Sequence, residues 1–153
     1  MTAIQTSNTA EPDFRSVPQL GWQAAQRAVA GAARHAEAIG ACVNVTLLDA
    51  GGNPLAALRM PGAPLHSIGI SADKAYTAAS FGLPTADWGE VLRQHSDAVR
   101  QGLPLRPRFV MFGGGLPIRH QGVLVGAIGV SGGSEQQDDD CARAGLAAAG
   151  MST

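Results

Sequence analysis

The chain of 153 residues contains one lysine, Lys74, inside the alanine-rich stretch SADKAYTAASF at 71–81; its other basic side chains are arginines and histidines. Helical spacing of 100° per residue puts His66, Ser67, Ile70, Lys74, Thr77, Ala78 and Phe81 on one face. Ile68, Ala72, Ala75 and Ala79 form a second, apolar face nearly opposite, and Gly69, Asp73 and Ser80 fall on the strip between as the expected solvent side. A cation, an imidazole, two hydroxyls and two large apolar groups on one face fit the wall of a ligand pocket better than a dry core. The structural alternative is a snorkelling lysine, with its stem on apolar neighbours and its ammonium in water. In a pocket, Lys74 would hold an anion or, with its pKa lowered by desolvation, serve as an acid/base or Schiff-base group.

Gly113, Gly114 and Gly115 form a run between two expected strands, which is neither a P-loop nor a dinucleotide-binding fingerprint. Such a run can present bare N–H groups to an anion, or simply turn the chain. The same two readings apply to SGG at 131–133, ahead of the last helix. The four histidines and two cysteines show no metal-binding spacing, and no Ser-His-Asp or Cys-His set can be assembled. His66 opens the Lys74 helix and is the best candidate for a haem or metal ligand. The Asp138, Asp139 and Asp140 triplet is accounted for by the dipole at a helix N-terminus.

These groups need elements to position them. A first helix is expected from a Ser16 cap to Gly40, with Trp22, Ala25, Val29, Ala32, Ala33 and Ala36 as its packing face. CVNVTLLD then alternates Val43, Val45 and Leu47 against Asn44, Thr46 and Leu48, and AGGN turns it into a second strand, PLAALRM. The Lys74 helix spans about 65–81 and stops at Gly82, and a further helix follows from Thr85 through TADWGEVLRQHSDAV. RFVMF at 108–112, a short strand after the glycines, and VLVGAIGV beyond the His120-Gln121-Gly122 turn complete the strands. SEQQDDDCARAGLAAAG forms the last helix, with Ser134 and Gln137 as a capping box. The order α-β-β-α-α-β-β-β-α predicts a single α+β domain over 16–153, with about five antiparallel strands flanked by helices. Residues 1–15 read as a flexible tail.

A net charge of −1 without a basic patch argues against nucleic acid as a partner. No apolar run reaches the roughly 18–20 residues of a membrane span. Residues 1–15 lack a basic segment followed by an apolar one, so a cytoplasmic location is expected. Cys42 and Cys141 read as reduced thiols.

Three segments together, LLDAGGNPLAALRMPGAP at 47–64, ADKAYTAASFGLPT at 72–85 and GGGLPI…GVLVGAIGVSGGSEQQDDDCARAGL at 113–146, resemble the GlcG/HbpS-like family. That family includes haem-binding proteins and accessory proteins of glycolate and diol utilisation. The resemblance implies a profilin-like α-β-α arrangement and assembly into homo-oligomers. Among matched positions, Lys74, Thr77 and Gly113 to Gly115 could line a site, and so could Asp49 and Arg59 on the first hairpin. Two functions follow as expectations. The first is a protein that binds haem, another tetrapyrrole or a small organic acid, accessory to a catabolic pathway, with Ser67 and Phe81 beside Lys74. The second is an isomerase, lyase or hydratase of a small carboxylate or carbonyl compound, with Lys74 binding an anion or moving a proton. There His66 or Asp49 would supply a second proton-transfer group and the 113–115 N–H groups would stabilise an oxyanion.

Overall fold

A computed structural model describes residues 16–153; the expected tail at 1–15 lies outside the described residues. The first helix, α1, covers Trp22–Ala38 and is followed by a hairpin of β1 (Asn44–Asp49) and β2 (Pro54–Arg59). Helix α2 covers His66–Phe81, α3 Trp88–Arg93 and α4 Asp97–Gly102. Strands β3 (Gly115–His120) and β4 (Val123–Ser131) form the second hairpin, and α5 (Glu135–Ala148) closes the fold.

The four strands make one antiparallel sheet in the order β2-β1-β4-β3. Each face is covered by helices. Val43, Val45, Leu47, Ile128 and Val130 point to one side and join the buried alanines of α1 with Cys141, Ala142 and Leu146 of α5 in the main core. On the other side α2 lies across β4 and β1, touching the sheet so closely that Gly129 meets its backbone at Ser71 and Ala75. The period-2 alternation therefore buries both of its faces in β1: Asn44 and Thr46 lie under α2, with 3% and 8% exposure.

Several boundaries agree with the local signals. Gly82 takes the left-handed conformation that ends α2. Ser134 and Gln137 form the reciprocal capping box of α5. Gln121 and Gly122 both adopt positive φ in the turn between β3 and β4.

Others differ. The sheet has four strands, not five, because RFVMF is not a strand. Arg108 sits at φ 65°, and the Thr77 hydroxyl donates to the Arg108 carbonyl at 2.9 Å and accepts from the Val110 N–H at 3.0 Å. Backbone groups that a ladder would use are thus taken by one α2 side chain. Helix α1 begins six residues after Ser16, with Gly21 at its cap. Trp22 is 63% exposed and is not part of the packing face, and the close approach between α1 and α5 is built further along, at Gly31 and Gly145. The single helix expected from Thr85 is a 3₁₀ turn, Thr85–Asp87, followed by α3 and α4, separated where Ser96 is extended.

Candidate functional site

Lys74 is fully buried. Its Nζ donates to the Val130 carbonyl at 2.8 Å and to Asp138 Oδ2 at 2.8 Å, and lies 4.9 Å from the centre of the Phe112 ring. The ammonium thus joins α2, β4 and α5 through its two hydrogen bonds. Burial pulls its pKa below the ordinary lysine value, while the bond to Asp138 opposes that shift. Asp138 is itself oriented by Gly133, whose N–H donates to Oδ1 at 2.9 Å.

The glycine run closes over this pair. Gly114 has φ 110°, and a Cβ there would sit 2.5 Å from the Val130 oxygen and 2.8 Å from Lys74 Nζ, so only glycine lets the backbone pass. The Gly113 N–H donates to Glu135 Oε1 at 2.7 Å and the Gly115 N–H to Thr85 Oγ1 at 2.9 Å. Lys74 and Gly113 to Gly115 are therefore brought together as a packed seam in which the Gly113 and Gly115 N–H groups and two ammonium protons are engaged within the subunit.

The remaining residues fall at three places. Thr77 and Phe81 border a depression of about 180 Å³ with Tyr76 and Phe109. Phe81 is 46% exposed and packs edge-on against Trp88 and Phe109. Asp49 sits in the first hairpin turn, where Oδ1 accepts from the N–H groups of Gly51 (2.8 Å) and Asn53 (2.9 Å). Its pKa is lowered mainly by the Asn53 backbone and side-chain bonds. A carboxyl held below its unfolded value adds stability above that value and loses it as pH falls through the folded one. In Asn53→Ala, carboxyl NMR titration should show Asp49 moving back towards 3.8, with a shallower acid-induced loss of stability. An unchanged titration would show that the Asn53 side chain adds nothing to the hold of its backbone N–H, which the substitution keeps.

The third place holds His66 and Ser67 at the start of α2 and Arg59 on the edge strand β2, which a groove separates from the helix. Ser67 is buried, whereas His66 is exposed on the first turn of the helix. Leu65, next to it in sequence, is 73% exposed, Ile68 on the far side of the helix is 48% exposed, and nothing crowds the surface at Gly69. Ile68 therefore does not belong to an inward apolar face; the inward stripe of α2 is Ser67, Ser71, Lys74, Ala75 and Ala78. Ile68 and Arg59 line a groove of about 240 Å³ whose floor includes Asn44, Thr46 and Ser71. Arg59 Nη2 donates to the Ala63 carbonyl at 3.1 Å and Asn44 Nδ2 to the Pro64 carbonyl at 3.2 Å. These two bonds fix the 61–64 turn, and with it the start of α2.

Two residues of these sites stand out only in three dimensions. Asp138 reads locally as a helix-dipole acid, although a buried lone lysine demands a carboxylate from somewhere in the chain. Asn44 reads as one polar step in an alternating strand, with no local sign of burial. No helix among the described residues is long and apolar enough to cross a membrane.

The family model for "Haem degrading protein HbpS-like" matches residues 20–147. The chain belongs to the HbpS-like family. Among solved structures, protein ORFY of Klebsiella pneumoniae superposes with a TM-score of 0.83 at 31% identity, covering 92% of this chain and 97% of that one. A PduOC–haem complex superposes with a TM-score of 0.81 at 30% identity, covering 89% and 99%. The corrinoid adenosyltransferase PduO of Citrobacter freundii is 31% identical over 153 residues, all of this chain and 44% of that protein. The chain thus spans less than half of that relative.

Proposed function

We propose that this HbpS-like chain is a haem- or tetrapyrrole-binding protein that takes its ligand on the exposed shelf at the start of α2. The observation that carries the reading is an accessible imidazole, His66, on the first turn of α2 next to Leu65, a large apolar side chain left in water. The similarity to a haem complex supports the choice of ligand. Imidazole is a common axial ligand of haem iron, and apolar side chains suit a porphyrin face. Nothing crowds the surface at Gly69, one turn on from His66 on the same side of the helix. These residues fit the group. When bound, haem supplies an iron centre and a strong visible absorption; the chain supplies a ligand atom and an apolar surface.

The adjoining groove of about 240 Å³ is smaller than the roughly 300–1,000 Å³ of pockets that enclose a drug-sized ligand. A tetrapyrrole therefore lies across the surface here, and a second subunit is the natural cover for its other face. The family resemblance adds accessory service to a catabolic pathway, as a homo-oligomer, to this reading. Replacing His66 with Ala should weaken haem affinity by roughly tenfold or more and shift the Soret band, while His95→Ala leaves both unchanged. Equal affinity and an identical spectrum in His66→Ala would remove His66 from the site.

A further inference from the structure

We propose that the groove between β2 and α2 is a separate binding site for a small carboxylate bearing a hydroxyl or amino group on the adjacent carbon. The inference rests on the hydrogen-bonding capacity of its walls. At the rim, Arg59 is exposed, uses Nη2 for the Ala63 carbonyl, and forms no ion pair among the described residues. A guanidinium has five N–H donors, so its remaining edge calls for an anion of carboxylate geometry.

The floor calls for the opposite. Asn44 is 3% exposed, and its Nδ2 is committed to the Pro64 carbonyl, which fixes the orientation of the amide. Its Oδ1 is then a buried acceptor with no partner among the described residues. Ser71 Oγ donates to the Ile68 carbonyl at 3.0 Å, since a carbonyl can only accept. The 3.0 Å contact between Thr46 Oγ1 and Ser71 Oγ must therefore use the Thr46 proton. Neither hydroxyl has a proton to spare, so the two hydroxyls and Asn44 Oδ1 present lone pairs, beside the second Nδ2 proton of Asn44. An unpaired buried acceptor costs about 1–3 kcal/mol, which a ligand donor would relieve.

Asn44 and Arg59 are directly paired across β1 and β2. Floor acceptor and rim cation thus stand side by side, so donor and carboxylate must lie close together on one small molecule. The groove volume of about 240 Å³ suits a ligand of a few heavy atoms. A simple carboxylate would satisfy the rim and leave the floor unpaired.

Calorimetric titration of the full chain with lactate, alanine and propionate tests this, because the three share size and carboxylate but only the first two carry a donor. Lactate or alanine should saturate at one per subunit with affinity roughly tenfold or more above that of propionate. The stronger of the two tells whether the donor is a hydroxyl or an ammonium. Arg59→Gln should reduce that binding by roughly tenfold or more, and Thr46→Val should narrow the margin over propionate. Circular dichroism on each variant reports whether the fold is kept. No saturable binding by lactate or alanine, equal binding of propionate, or unchanged affinity in a folded Arg59→Gln would each overturn the proposal.

Discussion

Lys74→Met is expected to lower the melting temperature by roughly 10 °C, the largest loss from any single polar side chain here. The change leaves Asp138, whose side chain is 4% exposed, without its cation. Removing one partner of a buried ion pair costs about 3–5 kcal/mol, because the surviving charge keeps its desolvation penalty without its attraction. For a domain of this size each kcal/mol corresponds to roughly 2–4 °C. The pair itself contributes less than that loss implies. Replacing both groups with apolar ones of similar volume is often neutral, so Lys74→Met combined with Asp138→Leu should recover much of the stability. Thermal unfolding followed by circular dichroism measures both variants. Reductive methylation supplies a second readout: Lys74 should remain unmodified in the folded chain and react once it is unfolded. A Lys74→Met variant as stable as the parent, or rapid methylation of Lys74 in the native state, would contradict its placement.

Gly129→Ala is the second large effect expected. A Cβ at this position would lie 2.0 Å from the Ser71 carbonyl oxygen and 2.5 Å from the Ala75 nitrogen. Those are backbone atoms of α2, so no side-chain rotation relieves the clash; the helix must lift from the sheet. Overpacking of this kind costs about 1–3 kcal/mol and occasionally more, and a clash with helical backbone belongs at the upper end. The lift would also separate the Thr46 and Ser71 hydroxyls, since Thr46 is the cross-strand partner of Gly129. A chemical denaturation midpoint within error of the parent would show that α2 does not rest on Gly129.

Local chemistry carried much of the fold into the sequence. The span of α2, its stop at Gly82, the Ser134 capping box and the hairpin after His120 depend on residues within a few positions of one another, and all are present. What was not legible involved partners far along the chain. RFVMF has strand-like residues, yet a hydroxyl about thirty positions earlier captures its backbone groups. Lys74 finds its carboxylate 64 residues away, and that distant contact makes the lysine a buried strut between elements. The helical wheel placed Ser67, Lys74 and Thr77 on a common side, and all three are buried. It did not show that Ile68 would stay exposed, because α2 covers β4 and β1 but leaves the outer strand β2 beside an open groove.

That open edge is where the functional account stands. The single most direct measurement is a titration of the purified chain with haemin, following the Soret band to saturation. The account predicts a distinct bound-state spectrum with a sharp break at one haem per subunit, and loss of that spectrum in His66→Ala. Absorbance that rises without a break, at the spectrum of free haemin, would contradict the claim that this chain holds a tetrapyrrole.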